Sequence, residues 1–193
     1  MLKIGLTGNI GSGKSTVARI FESIGIPLFH ADEVAKKQLL DEAVIEGILQ
    51  KFGKDVFTNK LPDRKKIASL VFNDSVALSY LNSLIHPRVR HELETWFEDQ
   101  SYYPYAIQEA AILFESGFDK EVDFIVFVSA PVELCIKRVV ERDGVKTADV
   151  EKRLANQWPQ EKKIGLSDFV IQNDENHLLI PQVLEIHHKL IKK

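Results

Sequence analysis

The run Gly8-Asn9-Ile10-Gly11-Ser12-Gly13-Lys14-Ser15, followed by Thr16, fits the pattern G-x-x-x-x-G-K-[ST]. Its residue types suit one kind of chemistry. Glycines let successive backbone N–H groups turn inward around an anion, and a helix opening there adds unsatisfied donors and a partial positive charge. Lys14 would neutralise β- and γ-phosphates, and the Ser15 hydroxyl is placed to bind Mg²⁺. Gly11, Ser12, Gly13, Lys14, Ser15 and Thr16 are therefore expected to bind a nucleoside triphosphate.

Other residues have two readings each. Asp32 lies just past a short apolar run, where it could accept a hydroxyl proton or cap a helix. Arg138 and Arg142 are four apart and share a helix face, either to stabilise a transferring phosphoryl group or as a solvated surface. Lys162 and Lys163 repeat that case more weakly. His86-Pro87 with Arg88 and Arg90 could hold acceptor phosphates, or mark a helix break with a surface histidine. Glu109 and Glu115 flank the end of an apolar run and could touch Mg²⁺ or an acceptor, or be helix-start acids.

The elements that must position these groups alternate. Apolar runs predict strands at Leu2–Thr7, Ile26–Phe29, Tyr105–Ala111, Phe124–Ser129 and Phe169–Gln172. Helical spacing follows from Lys14 to Ile24, from Pro131 to about Gly144, from Thr147, and from Leu178 to Ile191. Positions 34–100 look mostly helical, and the charged stretch Arg153–Lys163 is expected to be mobile. Strands alternating with helices predict a parallel sheet covered on both faces, hence a three-layer α/β/α P-loop NTPase fold in one domain over residues 1–193.

Composition narrows the class. The chain has 193 residues, with 25 Lys plus Arg against 28 Asp plus Glu and a net charge of −3, which argues against nucleic acid as a partner. One cysteine, Cys135, excludes an internal disulfide and a cysteine-built zinc site. No apolar run approaches the roughly 20 residues of a membrane span, and the opening residues do not pattern as a secretory signal. A cytoplasmic, soluble protein is expected, of undetermined oligomeric state. No aspartate has glycine three residues later, and Asn59-Lys60-Leu61-Pro62 puts proline where a guanine-reading aspartate belongs, against a GTPase switch. A small-molecule kinase remains, with a nucleotide-gated binding protein as the rival from another class.

Taken together, these segments resemble the dephospho-CoA kinase family over nearly the whole chain. Leu6-Thr7-Gly8-Asn9-Ile10-Gly11-Ser12-Gly13-Lys14-Ser15 is close to the family's opening L-T-G-G-I-G-S-G-K-S. His30-Ala31-Asp32 resembles its D-A-D, Ile85-His86-Pro87 its I-H-P, and Ala111-Ile112-Leu113-Phe114-Glu115 its P-L-L-F-E. Arg142-Asp143 and Gln157 look like lid residues, and Ser167-Asp168 with Ile171-Gln172-Asn173 resembles A-D…I-D-N. The resemblance implies ATP and dephospho-CoA as substrates with Mg²⁺, and Asp32 as base for the acceptor's ribose 3′-hydroxyl. It further implies that Lys14, Arg138 and Arg142 act on the phosphates, that Asn173 lies by the adenine, and that His86 and Glu115 meet the acceptor. The acceptor region would span about 33–100 and a helical lid about 138–165. His30 and Ala111 depart from the family pattern, replacing its first aspartate and its proline.

Overall fold

The computed structural model describes residues 1–71 and 74–193. They form two compact units: Met1–His30 with Trp96–Lys193, and Ala31–Thr95.

The first unit is built on a parallel five-stranded sheet in the order β2-β5-β1-β6-β7, from β1 (Leu2–Thr7), β2 (Leu28–His30), β5 (Tyr105–Glu109), β6 (Phe124–Ser129) and β7 (Phe169–Gln172). β1 lies between β5 and β6, with Leu6 opposite Glu109 on one side and Val126 on the other. A central strand of a parallel sheet with covered faces reads as an apolar run; Ile4 and Leu6 are fully buried. One sheet face packs on α1 (Lys14–Ser23) and α9 (Leu179–Leu190), where Phe21, Tyr105, Val183 and Leu190 join the core. The unit also contains α6 (Val132–Asp143), α7 (Thr147–Ala155) and α8 (Gln160–Ile164).

The strands at 124–129 and 169–172 fall where the sequence predicts them, whereas β2 begins two residues later than expected. The end of α1 explains the shift. Gly25 takes φ +86°, its N–H bonds to Glu22 O at 2.9 Å, and Ile26 N–H bonds to Phe21 O at 3.1 Å. Ile26 is thus spent on a Schellman cap, where an apolar residue commonly packs back on the helix, and not on the strand. The helix after β2, α2 (Ala31–Gln38), starts early enough that Asp32 sits inside its first turn and is not its cap.

The stretch Arg153–Lys163, expected to be mobile, is half-buried or exposed except at its end. It includes the end of α7 and most of α8, and Lys163 is fully buried with its Nζ 2.7 Å from Glu115 Oε1. A charged sequence can be ordered when its charge has a partner inside.

In the second unit, α3 (Glu42–Phe52) is capped by Asp41, whose carboxylate accepts from Ala43 N–H at 3.0 Å and Val44 N–H at 3.2 Å. Val44 and Ile48 are fully buried. A hairpin of β3 (Phe57–Thr58) and β4 (Leu61–Pro62) interrupts the expected helices, with Asn59 and Lys60 at positive φ in its turn. Then come α4 (Arg64–Val71) and α5 (Ser75–Asp99). The helix break expected at His86-Pro87 does not occur, since α5 runs through Pro87. An internal proline costs about 3 kcal/mol. The stripe Ala77, Leu81, Ile85, Val89 and Leu93 is buried on both sides of it, at roughly 1.5–3 kcal/mol for each large apolar side chain, which outweighs that cost.

Candidate active site

Glycine geometry shapes the loop between β1 and α1. Gly11 and Gly13 have φ of +81° and +88°, where a side chain is strained. A Cβ on Gly11 would run into the Cys135 carbonyl of α6, and one on Gly13 into the Asn173 amide just after β7. The loop is therefore wedged between neighbours as well as turned. Gly13 O accepts from Thr16 N–H at 2.9 Å and Val17 N–H at 3.2 Å, which starts α1 and leaves its first N–H groups available to an anion.

Side chains far along the sequence brace this loop. Asn173 Nδ2 donates to Ser12 O at 2.7 Å, and Arg138 donates to Asn173 O at 3.2 Å and to Asn173 Oδ1 at 3.4 Å. Gln157 accepts from Ile10 N–H at 2.9 Å and donates to Ala111 O at 3.1 Å. Asn9 Nδ2 donates to Trp158 O at 3.5 Å, while Trp158 N–H donates to Glu115 Oε1 at 2.8 Å. The Glu115–Lys163 pair thus anchors the segment that supports the loop's leading arm.

The reactive cation of the motif is held from β5. Lys14 pairs with Glu109, which is 5% exposed, and Glu109 Oε2 lies 2.9 Å from His30 Nδ1. The other ring nitrogen of His30 is 3.5 Å from Glu22 Oε1. Ser15, next after Lys14, is exposed at the first turn of α1.

The expected site residues divide into groups. Gly11, Ser12, Gly13, Lys14, Asn173 and Arg138 come together, and Ser15 and Thr16 open α1 beside them. Asn173 and Arg138 both serve the loop itself. Arg142 lies one turn beyond Arg138 on α6, with a 64% exposed side chain; it donates to Asp143 Oδ1 at 2.8 Å, and Arg153 reaches the same carboxylate at 3.3 Å. The Arg142 bond holds the Asp143 pKa below its ordinary value, against burial, which raises it. Glu115 is engaged by Trp158 and Lys163. In the other unit, Asp32 is half-buried on α2. His86 is half-buried on α5, and burial, followed by the Arg90 charge, lowers its pKa. Arg88 donates to Asp41 Oδ1 at 3.1 Å and so serves the α3 cap.

Two supports escape a residue-by-residue reading. Gln157 carries no chemistry by type, and only its resemblance to a lid glutamine singles it out. His30 signals itself only as a departure from the family pattern, and its bond to Glu109 needs the β2–β5 register, in which the two stand opposite.

These features can cradle phosphates, neutralise them with Lys14 and brace the cradle with an arginine. Comparison with known proteins agrees with that chemistry. A family model for dephospho-CoA kinase matches residues 2–178. A dephospho-CoA kinase of Chlorobium luteolum is 44% identical over 182 residues, covering 89% of this chain and 82% of its own. One of Bacteroides fragilis is 38% identical over 193 residues, covering 100% of this chain and 94% of its own. A solved structure from Thermus thermophilus superposes with a TM-score of 0.86 at 32% identity, over 97% of this chain and 96% of that one. The chain belongs to the dephospho-CoA kinase family.

Proposed function

We propose that this protein transfers the γ-phosphoryl group of ATP to the ribose 3′-hydroxyl of dephospho-CoA, giving CoA and ADP. In the transfer the 3′-O–H bond breaks and its proton passes to the Asp32 carboxylate. The oxygen bonds to the γ-phosphorus while the bond from that phosphorus to the β-bridging oxygen breaks, and ADP leaves. Gly11 to Thr16 offer backbone N–H groups to the phosphates, Lys14 moves from Glu109 to the β- and γ-phosphates, and Asn173 lies on the ATP side. Arg138 and Arg142 supply charge against the transferring group. The 31–95 unit, with His86, is the acceptor-binding part, while Glu115 holds in place the 157–163 segment that supports the phosphate loop.

Among the described residues no three His, Cys, Asp or Glu side chains gather into a metal cage. Mg²⁺ does not require one, since it takes one or two protein oxygens and fills its shell with phosphate oxygens and water. Ser15 fits that donor set, being an exposed hydroxyl directly after Lys14. Bound there, Mg²⁺ would neutralise charge on the phosphate oxygens. Among the described residues no helix is long and apolar enough to cross a membrane, in keeping with a cytoplasmic enzyme.

The observation that carries this reading is the braced loop with Lys14 held ready beside it, in a chain of this family. Product analysis by mass after incubation with Mg²⁺-ATP and a panel of acceptors tests it. Dephospho-CoA should gain one phosphoryl group at the 3′ position. A nucleoside or nucleotide phosphorylated in its place would overturn the acceptor assignment.

A further inference from the structure

We propose that His30 is a positioning residue for nucleotide binding, keeping Glu109 satisfied so that Lys14 can leave that carboxylate for the phosphates of ATP. The proposal rests on the reading of Gly8 to Thr16 as the ATP site.

Glu109 stands at the carboxyl end of β5, opposite Leu6 of β1 on one side and His30 of β2 on the other. Two groups, Lys14 and His30, meet on its carboxylate at the mouth of the phosphate loop. Glu109 is 5% exposed and Lys14 pairs with its Oε1. Its Oε2 lies 2.9 Å from His30 Nδ1. A carboxylate paired with a lysine has only acceptors to offer, so the His30 Nδ1 must carry the hydrogen in this contact. Glu22, on α1, lies 3.5 Å from the other ring nitrogen and helps fix the ring's orientation.

The same geometry sets a conflict. A lysine of a phosphate loop must reach the β- and γ-phosphates, yet here it is held by a nearly buried anion. When Lys14 departs, Glu109 loses its cation, and a buried carboxylate left without donors is costly. His30 stays behind as a donor, and this lowers the cost of the hand-over. Without His30, Glu109 depends more heavily on Lys14 and holds it more tightly, so ATP binds less well. The donor is not dictated by the loop motif. It comes from β2, through a side chain that departs from the family's first aspartate.

A double-mutant cycle on the full chain tests this, with the dissociation constant of a non-hydrolysable ATP analogue with Mg²⁺ measured directly. His30→Ala should weaken binding about fivefold to tenfold, the loss expected for the net contribution of one ordinary hydrogen bond. His30→Asn, which returns a donor near the position of Nδ1, should recover most of it. In a Glu109→Gln background the His30→Ala change should have little effect, because no buried charge needs the donor. In turnover, the His30→Ala loss should fall on KM for ATP more than on kcat. An unchanged dissociation constant for His30→Ala, or an equal loss in the Glu109→Gln background, overturns the proposal. Absence of analogue binding by the unsubstituted protein would instead overturn the ATP site itself, and Lys14→Ala, which removes the loop's cation in a folded chain, separates the two failures.

Discussion

The phosphate loop and the 31–95 unit distribute their chemistry differently. The loop's donors are contiguous backbone groups, and their shape is enforced by glycines at positive φ and by Cys135, Asn173 and Gln157 around them. In the helical unit the candidate groups are single side chains on separate helices, Asp32 on α2 and His86 on α5, while neighbours such as Arg88 work for local structure. Phosphate recognition is common to many kinases and can be made from main chain. Acceptor recognition is particular to each, and is made from side chains that a helical scaffold can exchange without altering its core.

The first way to break this comparison is at the acceptor chemistry. Asp32→Asn should lower kcat by about 10²–10⁴-fold, the range for loss of a positioned base, while leaving ATP affinity near that of the unsubstituted protein. Near-normal turnover would remove Asp32 from the reaction. Lys14→Ala should lower kcat/KM by about 10²–10³-fold, as for loss of a group stabilising transition-state charge. Unlike Asp32→Asn, it should also weaken nucleotide binding, as read by calorimetry.

The next effect concerns stability. Lys163→Met removes one partner of a buried ion pair and should cost about 3–5 kcal/mol in denaturant unfolding, because Glu115 keeps an uncompensated charge. Adding Glu115→Leu should recover a large part of that loss. A neutral Lys163→Met would mean that the segment is as loose as its charge suggests.

The smallest effect separates the two units by pH. Burial lowers the pKa of His187 on α9, with help from His188, and that of His86 on α5. A histidine whose folded pKa lies below its unfolded value near 6.5 binds fewer protons when folded. Its stabilising contribution is therefore present above that pH and is lost as pH falls through it. Melting temperature should drop by about 1–3 °C between pH 7.5 and 5.5 from these groups. His187→Gln and His86→Gln should each reduce the drop. The carboxylates Asp63, Asp143 and Asp174, whose pKa values are lowered by hydrogen bonds, add to it only at lower pH, since theirs is lost as pH falls through the carboxylate range.

The loop was readable because its residues adjoin in sequence and each type has a direct physical duty. The strands at Phe124–Ser129 and Phe169–Gln172 were readable because burial on both faces leaves an uninterrupted apolar run. A helix break is one of the two readings of His86-Pro87, because the proline penalty is local whereas the burial that overrides it in α5 is spread from Ala77 to Leu93. The hairpin at Phe57–Pro62 was missed because its strands have two residues each, too short for any period. Lys163 reads as a phosphate-side cation or as surface charge, since nothing near it in sequence announces Glu115 as a partner. The links from Gln157 to Ile10 and from His30 to Glu109 depend on chain crossings that no local pattern encodes.

The most direct test of the account is ADP release from Mg²⁺-ATP measured with and without dephospho-CoA. The account predicts slow release alone and release that rises and saturates with dephospho-CoA, one ADP for each CoA formed. ADP release indifferent to dephospho-CoA, in a protein that binds ATP tightly, would contradict it.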